Sequence, residues 1–139
     1  MGDNAKPLPR LEDPELTQRF WDAAKRHELI IPRCARCDAF FWYPRRACPT
    51  CLREDWEWAS VSGKARLHTF TIVRQPGNPA FEDDVPYVYA VVQLDEGVRM
   101  LAQLVNVAIE DVEIGMRVKV CWEDLSDDIA FFAFEPDAG

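Results

Sequence analysis

The spacing of apolar residues near the start of the chain predicts one amphipathic helix. Four apolar residues fall at helical spacing: Leu16, Phe20, Ala23 and Ala24. Asp13 stands where a residue would cap this helix, Pro14 suits its first position, and we expect the helix to end near His27. Residues 1–12 carry two prolines and few large apolar groups, so we expect a mobile arm there.

From residue 56 onward, the apolar positions change to the alternation that is typical of β-strands. The predicted strands are residues 56–62, 65–75, 87–95, 98–107, 117–123 and 129–134. Glu96 and Gly97 predict a compact hairpin, and residues 109–114 predict a short turn or helical piece. Five or six strands with closely spaced turns favour a small closed barrel, and a five-stranded OB-fold barrel fits that number. Strand number alone does not separate it from other small barrels.

Four cysteines form two Cys-x-x-Cys pairs, Cys34 with Cys37 and Cys48 with Cys51, separated by ten residues. Each pair can bind one side of a tetrahedral metal ion, so the spacing predicts a zinc ribbon that holds zinc, or iron in the same cage. Four thiolates fill the coordination shell of zinc and leave no position for water or substrate. We therefore expect a structural metal that contributes folding free energy and takes no part in catalysis.

Two disulfides are the alternative reading of the same cysteines. They would need an oxidising compartment, and the first residues of the chain contain no apolar export segment. No apolar run approaches the length of a membrane span either. We therefore expect a cytoplasmic protein without a membrane partner.

Aromatic residues dominate the loop between the two cysteine pairs, where Phe40, Phe41, Trp42 and Tyr43 stand in a row. Such a run suits a β-hairpin of the ribbon, but so small a module cannot bury all four rings. Either they pack on the helix and the barrel, or some of them, such as Phe41 and Trp42, form an apolar contact surface for a partner. The predicted organisation is a mostly β protein with three parts: an arm and helix (residues 1–28), a zinc ribbon (29–55) and a small barrel for which an OB fold fits (56–139).

The charge of the chain is unevenly distributed. Of its 139 residues 29% are charged, and the formal net charge is −8. Residues 25–53 nevertheless carry a net charge of +5, whereas residues 54–139 carry −11. This basic segment is either solvated surface or a docking site for an acidic partner or a phosphate-bearing ligand. The candidate contacts are Arg33, Arg36, Arg45 and Arg46.

Few residues suggest catalysis by this chain. A nucleophile needs a base beside it and a group that orients the base. His27 falls near a helix end, His68 lies in a predicted strand, and Cys121 lies between Val120 and Trp122. A structural or solvated role is expected for each, so we expect no catalytic residue.

The order of short motifs along the chain resembles the DUF35 family. The motifs are Phe20-Trp21, the two cysteine pairs, Trp56-Glu57-Trp58, Val61-Ser62-Gly63-Lys64-Ala65, His68-Thr69-Phe70-Thr71-Ile72-Val73, Pro86-Tyr87-Val88-Tyr89-Ala90 and Leu94-Asp95-Glu96-Gly97-Val98-Arg99-Met100. The resemblance extends from about residue 14 to residue 136 and implies a rubredoxin-like zinc ribbon fused to an OB-fold domain. Family ribbons often carry Gly after the second cysteine of a pair, where this chain has Asp38 and Leu52.

The resemblance also implies an accessory role beside acyl-CoA enzymes. The expected partner is a thiolase-fold protein, either a thiolase or acyltransferase or an aldolase that acts on CoA thioesters from steroid side chains. That partner would supply the nucleophile, while this chain would bridge subunits and contribute to acyl-CoA binding.

Two other functions remain open at the level of sequence. OB-fold barrels and zinc ribbons both serve nucleic-acid binders, but the net charge of −11 after residue 53 would repel a phosphate backbone, so nucleic acid is the less favoured partner. A rubredoxin-like electron carrier would require iron, and the spacing between the cysteine pairs is shorter than we expect for one.

Overall fold

The computed structural model of the chain describes residues 13–127 and 129–137. The mobile arm predicted for residues 1–12 lies outside these residues. In the described part, the chain forms one α-helix, a three-stranded sheet and a closed five-stranded barrel. The predicted fold class, a mostly β protein with an N-terminal helix, a zinc ribbon and an OB-fold barrel, is confirmed.

The predicted helix is present as α1, Pro14–Lys25, and buries Phe20, Ala23 and Ala24. Asp13 occupies the N-cap position, but its backbone is left-handed (φ 48°) and its side chain makes no capping hydrogen bond. Its carboxylate instead meets the Arg46 guanidinium at 3.4 Å, which offers a charged partner in place of a backbone amide.

The helix ends two residues earlier than the predicted His27. The reason is a left-handed turn, in which His27 adopts φ 59°. The His27 amide donates to the carbonyl of Ala24, and the Glu28 amide donates to the carbonyl of Ala23, each at 2.9 Å. These two bonds form a Schellman closure, which satisfies the last helical carbonyls and redirects the chain into the sheet.

The three-stranded sheet carries the ribbon, with strand order β2-β1-β3 and antiparallel pairing throughout. Its strands are β1 (Ile30–Cys34), β2 (Ala39–Phe40) and β3 (Glu57–Ser60). The sequence assigned the segment that contains β3 to the barrel, but β3 pairs with β1 over four residues, from Ile30↔Ser60 to Arg33↔Glu57. Alternation predicts a strand but not the partner of that strand, and this is why the assignment differs. The three domain boundaries themselves stay a prediction.

The barrel closes in the order β4-β5-β6-β8-β7, with β7 pairing back to β4. Its strands are β4 (Lys64–Val73), β5 (Tyr87–Leu94), β6 (Arg99–Leu104), β7 (Arg117–Asp124) and β8 (Ala130–Pro136). Short 3₁₀ turns at Pro79–Asp84 and Ile109–Asp111 lie in two of the connections. Gly97 (φ 99°) sits in the predicted hairpin between β5 and β6, where the Leu94 amide donates to the Val98 carbonyl at 2.8 Å.

One hydrophobic core joins the helix, the ribbon sheet and the barrel. Phe20 from α1, with Leu29 and Ile31 at β1, belongs to the same buried cluster as the inward residues of the barrel strands. Those inward residues include Leu67, Val88, Val92, Leu94, Met100, Leu104, Val118, Phe132 and Phe134. The ribbon is therefore held against the barrel by apolar packing as well as by the chain itself. No helix in the described ranges is long and apolar enough to cross a membrane.

Candidate metal centre and contact residues

The two cysteine pairs meet at one point between β1, β2 and the loop that precedes β3. The four Sγ atoms of Cys34, Cys37, Cys48 and Cys51 all lie within 4.8 Å of one another. Cys34 and Cys48 are buried, whereas Cys37 and Cys51 are partly exposed. The fold thus brings together the four residues that the sequence proposed as ligands, although the ligand set itself stays a prediction.

The spacing between the sulfur atoms fits a tetrahedral metal. Zinc bound to thiolates at about 2.3 Å would place neighbouring sulfur atoms about 3.8 Å apart. The Cys34 and Cys51 sulfur atoms are 3.6 Å apart, and those of Cys37 and Cys48 are 3.9 Å apart. Disulfide bonding would need about 2.05 Å instead. The arrangement therefore suits a shared cation better than two covalent bridges.

Backbone amides support the second cysteine pair. The Thr50 amide donates to the Cys48 sulfur at 3.4 Å, and the Leu52 amide donates to the Cys48 carbonyl at 2.9 Å. Leu52 adopts φ 65°, and Asp38 adopts φ 52° at the same place in the first pair. Glycine is the usual residue at a left-handed position because it has no Cβ atom. The left-handed backbone is therefore less favourable for Leu52 than it would be for glycine.

Two cysteines of the cluster, Cys37 and Cys48, differ in their affinity for protons. The pKa of Cys48 is lowered to about 6, mainly by the backbone amide of Cys51 and then by that of Thr50. The pKa of Cys37 is raised to about 12, mainly by its hydrogen bond with the Cys51 sulfur and then by burial. The fold therefore favours a thiolate at Cys48 and a thiol at Cys37, whereas a bound divalent cation would favour the thiolate at both residues.

An aromatic shell encloses the inner side of the cluster. Phe41 is 7% exposed and packs with Cys34 and Cys48. Its ring is nearly perpendicular to that of Trp56, and the two ring centroids are 5.4 Å apart. The Trp56 Nε1 atom donates to the Arg46 carbonyl at 3.2 Å, which fixes the loop between the pairs. Phe41 was proposed as a contact residue, but its side chain lies in the interior of the ribbon.

Trp42 and Tyr43 instead form part of an aromatic hollow on the surface. The hollow has a volume of about 280 Å³ and lies where the ribbon loop, α1 and the barrel meet. It is lined by Thr17, Phe20, Trp21, Trp42, Tyr43, Pro44, Tyr89, Leu101, Phe131 and Phe132. Phe41 is thus packed inside while Tyr43 is 52% exposed, and a partner contact at this surface stays a prediction. Tyr89 and Leu101 were not predicted as site residues, although alternation places both on the outside of their strands.

The four arginines of the basic segment do not converge on one point. The guanidinium of Arg33 forms an ion pair with Asp38, and that of Arg46 pairs with Asp13. Arg46 also lines a polar groove that contains Glu15, Glu54 and Glu57. Arg36 and Arg45 are exposed, and within residues 13–127 and 129–137 neither has an ion-pair partner. These two offer the least neutralised positive charge of the set.

The remaining reactive side chains form no pair of nucleophile and base among the described residues. The His27 ring stacks on that of Trp122 with the ring centroids 5.7 Å apart, and the His27 Nε2 atom lies 2.8 Å from Asp124 Oδ1. His68 is exposed at a bulge in β4. Burial raises the pKa of the Cys121 thiol to about 11, which disfavours the nucleophilic thiolate.

Comparison with known protein families gives matches along most of the chain. Residues 21–57 match the family described as "ChsH2, rubredoxin-like zinc ribbon domain". Residues 58–123 match the family described as "ChsH2, C-terminal OB-fold domain". The four-cysteine cluster inside a rubredoxin-like zinc ribbon confirms the predicted cofactor, a structural zinc ion.

Individual relatives carry names of two kinds. A DUF35 domain-containing scaffold protein from Methanocaldococcus jannaschii is 33% identical over 85% of this chain and 84% of its own length. A probable enoyl-CoA hydratase alpha subunit from Thermomonospora curvata is 36% identical over 84% of this chain. The chain spans only 36% of the length of that hydratase subunit.

A solved structure is similar over nearly its whole length. It is titled "Ltp2-ChsH2(DUF35) aldolase", and the matched chain is 32% identical with a TM-score of 0.79. The match covers 94% of this chain and 98% of that chain. The similarity therefore includes the ribbon, the helix and the barrel together.

Proposed function

Because the chain belongs to the DUF35 family, in which a rubredoxin-like zinc ribbon precedes an OB-fold domain, we propose that it is a non-catalytic accessory subunit of an enzyme complex that acts on acyl-CoA. Its partner is a thiolase-fold enzyme subunit, either a thiolase or acyltransferase or an aldolase. The observation that carries this proposal is the similarity to a ChsH2 (DUF35) chain of an aldolase, at a TM-score of 0.79 over 98% of that chain.

The chemistry of the described residues supports an accessory role. The cysteine cluster offers four sulfur ligands to one cation, which leaves no coordination position for a substrate. His27 is hydrogen-bonded to Asp124 and His68 is exposed, but among the described residues neither histidine is hydrogen-bonded to a thiol or hydroxyl group that could act as a nucleophile. The reacting groups would then come from the partner subunit.

Arg36 and Arg45 are the residues that we assign to the contact with CoA phosphates or with an acidic surface of the partner. A guanidinium can bind a phosphate through two parallel hydrogen bonds, and an unpaired one needs to break no ion pair first. Arg33 and Arg46 are already paired with Asp38 and Asp13, so we give them the smaller share of this contact.

The test of the proposed function is purification of the tagged chain from its native host. We expect a thiolase-fold subunit to copurify in near-equal amount, and we expect the activity of that subunit on a CoA thioester to fall when the chain is withheld. Copurification of nucleic acid would favour the alternative binder. A lone chain at physiological salt would contradict the accessory role.

Arg45→Glu tests the electrostatic contact. Reversal of this exposed charge is expected to weaken binding of CoA or of the partner about tenfold or more. The loss of affinity should be smaller at high salt because salt screens the interaction. The measurement is isothermal titration calorimetry at two salt concentrations. Arg53→Glu is the matched control, since Arg53 is also exposed in the basic segment but is paired with Asp55 at 3.5 Å. Equal effects of both variants would reduce the basic segment to general surface charge.

A further inference from the structure

The outside of the barrel carries one surface without charged groups. In β5 and β6, alternate residues point into the core, and the residues between them face outward. Cross-strand pairing places Thr71, Tyr89 and Gln103 in one row and Thr69, Val91 and Leu101 in the next. We call these six residues the neutral face.

The composition of the neutral face differs from that of the chain. Charged residues make up 29% of the sequence, and 24 of its residues are acidic, yet the neutral face contains none. Its centre is apolar, because Val91 pairs with Leu101 and Tyr89 lies beside them on β5. Leu101 is 43% exposed and Tyr89 is 39% exposed. Depletion of charge around exposed aromatic and aliphatic side chains is the compositional mark of an interface centre.

The neutral face continues into the aromatic hollow. Tyr89 and Leu101 belong to both, and Tyr43 stands on the other side of the hollow. The hollow exists because β6 and β8 pair only at Leu104↔Phe134, and α1 covers the space beyond this point with Phe20 and Trp21. The apolar surface thus ends at a concave aromatic site. Such a site can bind an apolar side chain that a partner protein inserts into it.

Positive charge borders the opposite end of the neutral face. Arg66, Gln93 and Arg99 form the next row across β4, β5 and β6. Arg99 Nε donates to Gln93 Oε1 at 3.2 Å, and Arg66 Nη1 donates to the Gly115 carbonyl at 3.1 Å. Within the described residues neither arginine forms a salt bridge, although Arg66, after Arg117, helps to hold the pKa of the Asp95 carboxyl below its usual value.

From this geometry we propose that the neutral face and the aromatic hollow together form the docking surface for the partner enzyme subunit. The proposal rests on the proposed function and names the part of the chain that performs it. The complementary surface on the partner is an uncharged apolar patch that inserts one large side chain into the hollow and places acidic residues against Arg66 and Arg99. Because the barrel is closed, docking here uses side chains and not the addition of a strand.

A protein surface fits this site better than a small ligand does. Ligand sites enclose most of the surface of their ligand within about 300–1,000 Å³. The hollow, at about 280 Å³, lies at the lower end of that range, and the neutral face beside it is the outer surface of a barrel, which encloses no ligand. A second copy of the chain would have to bring the arginines of one copy to an acidic edge of the other, and the neutral face itself provides no such edge.

Leu101→Glu tests the docking surface in the purified complex of the full chain with its native partner. We expect the dissociation constant to rise at least tenfold, measured by calorimetry, with unchanged zinc content and melting temperature because Leu101 faces outward. Leu52→Glu is the matched control, since Leu52 is more exposed (75%) and lies on the ribbon. Arg99→Glu should weaken binding at low salt and have less effect at high salt.

Each outcome decides between the two proposals. If the complex forms and Leu101→Glu binds as tightly as the wild type, the docking surface is wrong while the accessory function stands. If the wild-type chain has no partner and Leu101→Glu converts a dimer to a monomer in light scattering, a second copy occupies the surface and the assigned occupant is wrong. If the wild-type chain is a monomer without a partner, both proposals fail.

Discussion

Cys37 and Cys48 differ in their affinity for protons, although each would form the same bond to zinc. Amide donors favour a thiolate at Cys48, while the neighbouring thiols favour a proton at Cys37. A cation removes this conflict because it satisfies all four sulfur atoms at once. The residue that departs most from the usual ribbon, Leu52, keeps the left-handed backbone that glycine would adopt with less strain.

At the residue scale, we predict that Cys34→Ser or Cys51→Ser reduces bound zinc well below one ion per chain and unfolds the ribbon. Loss of one thiolate leaves an incomplete coordination shell, and the small apolar cluster around Phe41 cannot hold the two loops alone. Zinc content by mass spectrometry and the melting temperature are the measurements. Cys121→Ser is the control and should keep its zinc, since Cys121 lies outside the cluster. Full metal and full stability in either ligand variant would show that the ligand assignment is wrong.

The strands of the barrel are tied together where β4, β5 and β7 meet. Asp95, directly after β5, accepts two hydrogen bonds from Arg117 of β7, at 2.9 and 3.0 Å. The Asp95 amide also donates to the Lys64 carbonyl of β4 at 2.9 Å. The hydrogen bond from Arg117 is the largest cause that holds the pKa of Asp95 below its usual value. A single residue therefore links three strands at the point of closure.

At the element scale, we predict that Asp95→Asn lowers the free energy of unfolding at neutral pH but not in acid. A carboxyl group with a lowered pKa in the folded state stabilises the fold above its unfolded pKa, and this contribution is lost as the pH falls. The unfolding free energies of wild type and variant should thus converge as the pH falls below about 4, the usual pKa of an aspartate. The measurement is urea denaturation across this range. A constant difference at all pH values would mean that the ion pair is not its source.

The whole molecule is held together at Phe20. This helical residue is buried, and its ring packs against three others. The ring-centroid distances are 5.1 Å to Trp42 of the ribbon loop, 6.3 Å to Trp58 of β3 and 5.9 Å to Phe132 of β8. Helix, ribbon and barrel therefore share one core, and we expect them to unfold together.

At the scale of the whole molecule, we predict that Phe20→Ala destabilises the chain by about 3–5 kcal/mol, the usual cost of removing a buried aromatic ring. Zinc release and the loss of β-structure should coincide in a denaturant titration, followed by a zinc indicator and by circular dichroism. Leu52→Ala is the control and should change stability by less than about 0.5 kcal/mol because its side chain is exposed. Two separate transitions in the wild type would show that ribbon and barrel fold independently.

Short-range patterns in the sequence determined much of the secondary structure and the metal cluster of this protein. The Cys-x-x-Cys spacing, the helical repeat before His27 and the alternation of β5 and β6 are short-range signals, so the sequence by itself predicted the metal cluster, the helix and the barrel strands. Only the tertiary structure decided that β3 pairs with β1 and that Asp13 forms an ion pair with Arg46 instead of capping the helix. It also decided that Tyr89, Leu101 and Tyr43 line one hollow. Those outcomes depend on which distant segments pack together, and contacts between distant segments leave no periodic trace in the sequence.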